Sequence, residues 1–442
     1  MLYTGLLLGL TCAAASPTGS TQEAPCAECA AHPDASSLLQ VARAPACDKS
    51  PLPLIFDNDA NYDDILAFLY VARSPLFDLK AVTVSAIGFA TPQGGAPSMA
   101  AIAALVGKPD VPVAFGHGQS LSPKAGFPLE WRQQRDEFIE QMYVTKYDRL
   151  RPDTVLAMTS ASISGLLAPD LILKVLRESP CPVAVLATGG ATNLAVAFAR
   201  DPSVAGKLKT VFMMGTNYGV PGTNNVYDWQ LKMNGHRGAC PELGSTLESM
   251  SNMQRGDRVG CLGVNMTTQG STEWNVFLDA FAWRSVMSHL KSSPASVRVL
   301  AANASLNMPV EADTFDAFAD ALADPRLRLF TKELAKRFLG AGEARWWDAE
   351  LAVLLADEVG GARERCGPVV SAEECLCANW ADDRRTSVSL VWRSSLAEGE
   401  VNPYGSVYDD ANADAPPVSY CLRSNPDRMW EQYWPVVNGT SA

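Results

Sequence analysis

Residues 51–67, PLPLIFDNDANYDDILA, decide the fold. An apolar run of strand length ends at Phe56, four aspartates follow within eight residues, and an apolar helical stretch covers 65–72. A short apolar run without polar alternation is typical of a strand that is covered on both faces of a sheet. The segment therefore predicts a buried strand, a polar turn and a helix in succession.

The same alternation of strand and helix continues along the chain. Further strands are predicted at 79–87, 111–115, 183–187 and 208–214, with helices at 99–106, 171–178 and 194–200. Strands that alternate with helices at this spacing form βαβ units and a parallel sheet. The predicted fold class is therefore α/β: a single large, open, mostly parallel sheet with helices on both faces. Residues 387–408 are predicted to add an antiparallel C-terminal extension.

Residues 216–262 break this alternation. They are rich in Gly and Asn and contain few apolar runs, so they are predicted to form an insertion between two core elements. Helices are predicted to resume from Glu273 and again over 315–339.

Composition and charge narrow the class of protein. The chain has 442 residues, of which 47% are hydrophobic and 19% charged, a globular composition that excludes a disordered or fibrous protein. Its 48 acidic and 36 basic residues give a net charge of −12. Because an acidic surface repels phosphate backbones, polymeric nucleic acid is not an expected partner. A small nucleoside or nucleotide ligand remains open.

The first twenty residues, MLYTGLLLGLTCAAASPTGS, are typical of a secretory signal peptide, predicted here as residues 1–16. The apolar run is too short to span a bilayer, and no later stretch reaches 18 uninterrupted apolar residues. We therefore expect a secreted protein without stable membrane insertion. Three sequons, at Asn265, Asn303 and Asn438, are compatible with N-glycosylation.

Cysteine usage agrees with an oxidising compartment. Residues 17–50 are predicted to be a Cys-containing leader, and ten cysteines remain once Cys12 leaves with the signal peptide. An even number of cysteines in a secreted chain favours disulfides. The zinc alternative rests on Cys26-x-x-Cys29 and Cys375-x-Cys377, neither of which has a nearby second pair at the usual spacing.

The four aspartates of the first segment are the main candidates for chemistry. Asp57, Asp59, Asp63 and Asp64 follow a predicted strand and precede a helix, where ligands bind in open α/β sheets. A helix N-terminus offsets part of their repulsion, and Ca²⁺, which takes several oxygen ligands, would offset more. Asn61 lies within the turn and is the residue predicted to tolerate a left-handed backbone there.

Three other readings of the aspartates compete. An EF-hand counted from Asp57 would need Gly and Glu where Tyr62 and Phe68 stand, so it is excluded. An aspartyl phosphatase would use Asp57 as nucleophile and Asp59 as acid, but its motif gives no place to the paired aspartates at 63–64. Helix capping accounts for one or two of the acids and not for all four.

The stretch DNDANYDD at 57–64 resembles the Asp-rich signature of the inosine–uridine-preferring nucleoside hydrolases. Further segments resemble that family in the expected order, namely TGGATNLA at 188–195, VFMMG at 211–215, EWNVFLD at 273–279, WWDAELA at 346–352 and GSVYD at 405–409. The resemblance covers about 51–437 as a single nucleoside hydrolase-like domain and leaves 438–442 as a tail.

The resemblance implies a Ca²⁺-dependent hydrolase of nucleoside salvage that cleaves the N-glycosidic bond of ribonucleosides to free base and ribose. Ca²⁺ would be held by Asp59, Asp64, Asp348 and the backbone carbonyl of Thr192. Asp59 would act as general base on a metal-bound water. The residues implied to contact substrate are Asp63, Asn265, Glu273, Asn275 and Trp347.

The chain departs from the family pattern at two positions. After the strand predicted at 79–87 the family commonly has Gly-Asn, whereas this chain has Gly88-Phe89, so one expected ribose contact is missing. Trp347 stands where many members have the His that helps to protonate the leaving base. Aromatic stacking by Trp274, Trp346, Trp347 and Tyr218 could replace that His. A catalytically impaired nucleoside- or sugar-binding member of the same fold therefore stays open as an alternative. The resemblance also leaves a homo-oligomer open.

Overall fold

The computed structural model describes residues 47, 51–85, 87–116, 118–122, 132–133, 136, 163–216, 218, 273–308, 310, 312–338, 345–361, 375–390 and 404–440. Asn265, the predicted signal peptide, most of the leader and most of the predicted insertion lie outside the described residues.

The described strands and helices alternate through the first half of the chain. They are β1 Leu52–Asn58, α1 Tyr62–Arg73, β2 Phe77–Val84, α2 Pro92–Leu105, β3 Val113–Phe115, α3 Ala168–Glu178, β4 Val183–Ala187, α4 Thr192–Arg200 and β5 Leu208–Met214. After the insertion come α5 Trp274–Leu278, α6 Ala280–Leu290, β6 Ser296–Leu300, α7 Ala312–Asp320, α8 Pro325–Phe338, α9 Trp347–Val359, β7 Cys377–Arg384, β8 Thr386–Val388, β9 Val407–Asp409, β10 Val418–Ser424 and α10 Pro426–Asn438. Short 3₁₀ helices cover Pro202–Lys207 and Ala302–Asn307.

Eight strands form one sheet in the order β3-β2-β1-β4-β5-β6-β10-β7. All neighbours pair in parallel except β7, which runs antiparallel to β10. A separate antiparallel pair joins β8 to β9. The predicted fold class is confirmed, and so is the antiparallel extension at 387–408.

The strands are buried on both faces, as their apolar sequences predict. Within β1, Leu54 and Phe56 face one apolar core together with side chains of α1, α2, α9 and α10, whereas Ile55 faces a second core. That second core contains apolar side chains of α3, α4 and α6. Each face of the sheet is thus covered by its own layer of helices, which requires the unbroken apolar runs seen in the sequence.

The strand order reverses between β1 and β4. From β1 the chain proceeds outward to β2 and β3, and from β4 it proceeds in the opposite direction to β5 and β6. In open α/β sheets, ligand sites form beyond the carboxyl ends of the two strands that flank such a reversal. The aspartates that follow β1 therefore lie at the favoured position.

The described cysteines form disulfides. Cys47 bonds to Cys181, just before β4, and Cys377 on β7 bonds to Cys421 on β10. Cys375 is also disulfide-bonded, so the zinc alternative fails for Cys375-x-Cys377. No helix in the described part of the chain is long and apolar enough to cross a membrane.

Candidate functional site

The carboxylate of Asp57, at the carboxyl end of β1, is tied to both neighbouring segments of the sheet. Its Oδ1 accepts hydrogen bonds from the Thr83 hydroxyl at 2.7 Å and from the Asn193 side-chain amide at 2.8 Å. The Asp57 carbonyl oxygen accepts a bond from the Thr188 backbone N–H at 2.7 Å. Burial raises the pKa of Asp57 to about 7, and Asp59 adds to the shift. Asp57 therefore lies beneath the site and joins β1, β2 and α4.

The turn between β1 and α1 folds around Asp64. The backbone N–H groups of Asp59 and Asn61 donate to its two carboxylate oxygens, at 3.3 and 2.8 Å, and the Thr188 hydroxyl donates to it at 2.5 Å. The left-handed residue of this turn is Ala60, with φ of 61°, whereas Asn61 is extended. The prediction for Asn61 was wrong because Asn61 is the N-cap of α1, which requires an extended backbone, and the left-handed residue is the one before it.

Asp59 is held between two glycine segments. A Cβ on Gly88 would lie 2.3 Å from the Asp59 Cβ, and one on Gly189 would lie 3.0 Å from it. The backbone N–H of Phe89 lies 3.4 Å from Asp59 Oδ2 and donates to it. The chain after β2 and the chain after β4 therefore approach Asp59 more closely than any side chain would allow.

This close approach predicts a sharp response to Gly88→Ala. The new Cβ would overlap the Asp59 side chain near its root, so Asp59 must move. The family resemblance implies that Asp59 is the general base, and a displacement of about 1 Å at such a group can lower a rate roughly 100-fold, so we expect a loss of turnover of that order. Steady-state kinetics check it, with Gly206→Ala as the matched control because a Cβ there meets nothing within 4 Å. Equal activity of the two variants would contradict the prediction.

Three acids converge beside Asp59. One carboxylate oxygen each from Asp63, Asp64 and Asp348 lie within 4.8 Å of one another, and all three residues are buried. Burial raises the pKa of Asp64 and of Asp348 well above the usual range, and the neighbouring carboxylates raise both further. Such a cluster fits a hard divalent cation, because the ion supplies the charge that the acids lack.

Glu273 and Asn275 lie at the start of α5 and contact the same region. Glu273 Oε2 accepts from the backbone N–H groups of Asn275 at 2.9 Å and Thr216 at 3.3 Å. Burial raises the pKa of Glu273 to about 7. The Asn275 side-chain nitrogen donates to the carbonyl oxygens of Thr188 at 2.8 Å and Met214 at 3.2 Å. Both side chains thus hold backbone at the ends of β4 and β5.

The aromatic candidates differ in burial. The half-buried Trp347 donates its indole N–H to the Ala302 carbonyl at 3.1 Å, one residue before Asp348. Trp346 is 0% exposed and packs on Phe315, Tyr433 and other aromatic rings of the core, so the expectation that it could stack on a base was wrong.

Tyr218 is committed to another contact. Its ring stacks on Tyr420 with 4.2 Å between ring centroids, and its hydroxyl donates to Asp409 Oδ1 at 2.6 Å. The ring is 7% exposed. Trp274 lies half-buried at the start of α5, edge-on to Phe277.

Sequence reasoning missed two residues near the acids. Asp279 accepts a hydrogen bond from the Thr192 hydroxyl at 2.7 Å, and Arg132 donates to the Ala90 carbonyl at 2.6 Å beside Asp59 and Asp136. Burial lowers the pKa of Arg132, while those two aspartates favour its charged form. An Asp directly before a predicted helix signals an N-cap, which could have found Asp279. No motif surrounds Arg132.

Glu350 is a further buried acid on α9, two residues after Asp348. It accepts hydrogen bonds from the hydroxyl of Ser305, at 2.5 Å, and from that of Ser424. Burial raises the pKa of Glu350 from 4.5 to about 7 although both serines lower it. Between those pH values the folded chain holds a proton that the unfolded chain releases, so this contribution to stability is lost as pH rises from about 4.5 to about 7.

We therefore expect Glu350→Gln to change melting temperature more favourably at pH 8 than at pH 5, because Gln carries no charge to bury. Thermal unfolding in chelator at both pH values measures the effect. Glu178→Gln, at an exposed position of α3, is the matched control for removing a carboxylate from the surface. A Glu350→Gln effect that does not depend on pH would contradict the assignment.

Fold and site together define a parallel α/β protein with a buried acidic centre at the reversal point of its sheet. The sequence profile described as inosine-uridine preferring nucleoside hydrolase matches residues 54–431. The chain belongs to this family.

Similar proteins of known sequence carry the same kind of name. The pyrimidine-specific ribonucleoside hydrolase RihA of Klebsiella pneumoniae (strain 342) is 31% identical over 179 residues, which are 40% of this chain and 51% of that protein. RihA of Citrobacter koseri is 32% identical over 169 residues, or 38% of this chain and 49% of that protein. The chain thus spans about half the length of the curated relatives it matches.

Solved structures share the fold at lower identity. An inosine-uridine preferring nucleoside hydrolase from Bacillus anthracis superposes with a TM-score of 0.58 at 14% identity, covering 88% of this chain and 99% of that one. The plant nucleoside hydrolase PpNRh1 gives a TM-score of 0.55 at 17% identity, with 88% and 99% coverage. These likenesses concern the fold.

Proposed function

We propose that this protein is a secreted, Ca²⁺-dependent nucleoside N-ribohydrolase that releases free base and ribose from ribonucleosides. The observation that carries the proposal is the cluster of buried carboxylates from Asp63, Asp64 and Asp348 beside Asp59. The cluster lies where the strand order of the sheet reverses, in a chain that belongs to the nucleoside hydrolase family. The substrate would be a small molecule.

The residues present fit a calcium ion. Asp64 and Asp348, whose carboxylates converge with that of Asp63, would hold it together with Asp59 and the backbone carbonyl of Thr192, which the family resemblance implies as further ligands. All of these residues are buried. The raised pKa of Asp64 and Asp348 reflects burial and mutual repulsion, which a divalent cation offsets. When bound, calcium would supply positive charge that orients substrate hydroxyls and makes a water more acidic.

The chain's own groups suit the remaining chemistry. Asp59, fixed by the glycines at 88 and 189, would accept a proton from the attacking water. Asp63, Glu273 and Asn275 would bind and orient the ribose hydroxyls, which reduces the entropy lost on reaction. The concentration of carboxylates would stabilise the positive charge that develops on the sugar as the glycosidic bond breaks.

Two features bear on the leaving base. The half-buried ring of Trp347 stands one residue before Asp348 and would contact the base through its π face. Relatives are named pyrimidine-specific, and one solved structure is named a purine-preferring ribonucleoside hydrolase from Gardnerella vaginalis. We therefore propose testing both classes of base.

A binding protein without turnover is the second candidate, and the sequence at Phe89 and Trp347 favours it. Residue 89 is Phe, whose backbone N–H donates to Asp59, so the amide side chain that the family commonly has at this position is missing. The phosphatase alternative is disfavoured, because Asp57, its nucleophile, is 0% exposed and lies beneath Asn193.

The experiment incubates the purified protein with a panel of purine and pyrimidine ribonucleosides and measures reducing sugar, with calcium or with chelator. Calcium-dependent ribose release supports the hydrolase. Tight binding by calorimetry with no ribose release would replace it with the binding protein. Release of phosphate from nucleotides in Mg²⁺ would favour the phosphatase.

Secretion is supported by the disulfides Cys47–Cys181 and Cys377–Cys421, since such bonds persist in oxidising compartments. Two of the three sequons differ in how far their asparagine is buried. Asn303 is 9% exposed and donates its side-chain amide to the Leu422 carbonyl on β10 at 3.1 Å, so a glycan there is incompatible with the fold. Asn438 ends α10 and is only partly buried.

We therefore expect the protein secreted from eukaryotic cells to carry a glycan at Asn438 and none at Asn303. Mass spectrometry before and after glycosidase treatment measures this. Asn438→Gln should remove one glycan mass, whereas Asn303→Gln should remove none and serves as the matched control. A glycan on folded, secreted protein at Asn303 would contradict the interpretation.

A further inference from the structure

The loop after β4 and the first two residues of α4, together residues 188–193 and called the 188–193 loop below, contact three of the acidic residues. The Thr188 hydroxyl donates to Asp64, and the Asn193 side-chain amide donates to Asp57 at 2.8 Å. Between these two contacts Gly189 lies against Asp59. The position of this loop therefore sets the position of the acids.

The segment 273–279 holds the same loop at both ends. At one end the Asn275 side-chain amide donates to the Thr188 carbonyl at 2.8 Å. At the other end the Thr192 hydroxyl donates to Asp279 Oδ2 at 2.7 Å. Because Asn275 belongs to the short helix α5 and Asp279 directly follows its last residue, the helix fixes the distance between the two attachment points.

The carboxylate of Asp279 is buried and fully hydrogen-bonded. The residue is 0% exposed, and four donors from three segments satisfy its carboxylate. Oδ2 accepts from Thr192 and from the Leu121 backbone N–H at 2.7 Å, while Oδ1 accepts from the Ala282 backbone N–H at 3.0 Å and the Ser122 hydroxyl at 3.1 Å. A carboxylate with this many donors resists displacement, because each lost bond leaves a buried polar group unsatisfied.

We propose that Asp279 is a positioning residue for the acidic centre. It anchors the start of α4 through Thr192, and α4 in turn presents Asn193 to Asp57. Asp279 also holds residues 120–122, which follow β3, through its bonds from Leu121 and Ser122. The Ser120 hydroxyl adds a bond to the neighbouring Leu278 carbonyl at 2.7 Å. Among the contacts of the described residues, the loop at 188–193 links Asp279 to the acids. Its expected effect on calcium affinity and turnover rests on the proposed function.

The sharpest variant is Thr192→Val. It removes the hydroxyl that Asp279 binds but keeps the β-branched shape and the backbone carbonyl. Thr192→Ser keeps the hydroxyl and should restore the hydrogen bond to Asp279, and with it the slow amide exchange at 188–193, relative to Thr192→Val. Asp279→Asn keeps the size of the side chain but presents a donor to a site that contains only donors.

The matched control is Asp324→Asn. Asp324 Oδ1 also accepts backbone N–H bonds at the start of a helix, from Arg326 at 2.9 Å and Leu327 at 3.5 Å. It caps α8, an element with no residue in the acidic centre. A loss caused merely by weakened helix capping should therefore appear equally in Asp279→Asn and Asp324→Asn.

We expect Thr192→Val and Asp279→Asn each to weaken calcium binding by about 10- to 100-fold, the range for removing a partner of metal ligands. Calorimetry measures the affinity. We also expect kcat to fall more than KM rises, because Asp59 and Asp64 move while the ribose contacts Glu273 and Asn275 at the start of α5 stay. The double variant should lose little more than Asp279→Asn alone, since both changes break one link.

Amide hydrogen exchange separates this inference from the proposed function. Exchange at 188–193 should accelerate in Thr192→Val and Asp279→Asn but not in Thr192→Ser or Asp324→Asn. If the parent protein binds no calcium, the proposed function fails while the exchange result still decides the role of Asp279. Unchanged exchange at 188–193 in both Thr192→Val and Asp279→Asn would overturn the inference.

Discussion

Replacement of Asp59 by Ala is expected to lower kcat for ribose release by about 10²- to 10⁴-fold, the range in which a positioned general base contributes. The fold should persist, because Asp59 contributes repulsion rather than packing: its charge raises the pKa of Asp57 and of Asp64. We expect the melting temperature of the metal-free variant to equal or exceed that of the parent. Steady-state kinetics and thermal unfolding measure the two effects.

The matched control for this prediction is Asp78→Asn. Asp78 is a half-exposed residue of β2 that pairs with Lys80, so its replacement removes one negative charge without touching the site. It should retain parental turnover. An Asp59→Ala enzyme with full activity, or one that fails to fold while Asp78→Asn folds, would exclude the role given to Asp59.

Removal of calcium is expected to abolish turnover and to lower the melting temperature. Ligand linkage gives about 2.7 kcal/mol of stabilisation when free ligand exceeds Kd 100-fold. The rise in melting temperature caused by calcium should be larger at pH 8 than at pH 5. The pKa values of Asp64 and Asp348 are raised by burial, so protons compete with the cation at low pH. Thermal unfolding with chelator, and after calcium is restored, measures it.

Asp348→Asn should eliminate this calcium response, since it removes one carboxylate of the converging three. Asp313→Asn, at an exposed position of α7, is the control and should respond as the parent does. Persistence of the full calcium-dependent shift in Asp348→Asn would show that the ion binds elsewhere.

The sequence predicted most of the elements that position the site. The strand before Asp57, the turn and the helix after it were readable because unbroken apolar runs flank a concentrated set of acids. Contacts between residues that are close in sequence could also be predicted. By contrast, Asp279 contacts Thr192 across 87 positions, and no local pattern specifies which buried donor an N-cap carboxylate will also serve.

Several boundaries were misplaced for identifiable reasons. The helix predicted at 99–106 begins at Pro92, because Thr91 caps it and Pro is favoured in the first turn, while Pro97 inside the helix concealed the start. The strand predicted at 79–87 ends at Val84. Strand β6, Ser296–Leu300, was not predicted, although Val297 and Val299 alternate with polar neighbours.

The placement of β10 has a consequence for the order of assembly. This strand is interior, with β6 on one side and β7 on the other, although it comes late in the sequence. β7 is synthesised earlier, yet it reaches the sheet only through β10. A nascent chain that has emerged only as far as residue 410 therefore has an open edge at β6 and an unattached strand. Complete folding must wait until translation has passed residue 424, so the growing chain needs protection from edge-to-edge association until then.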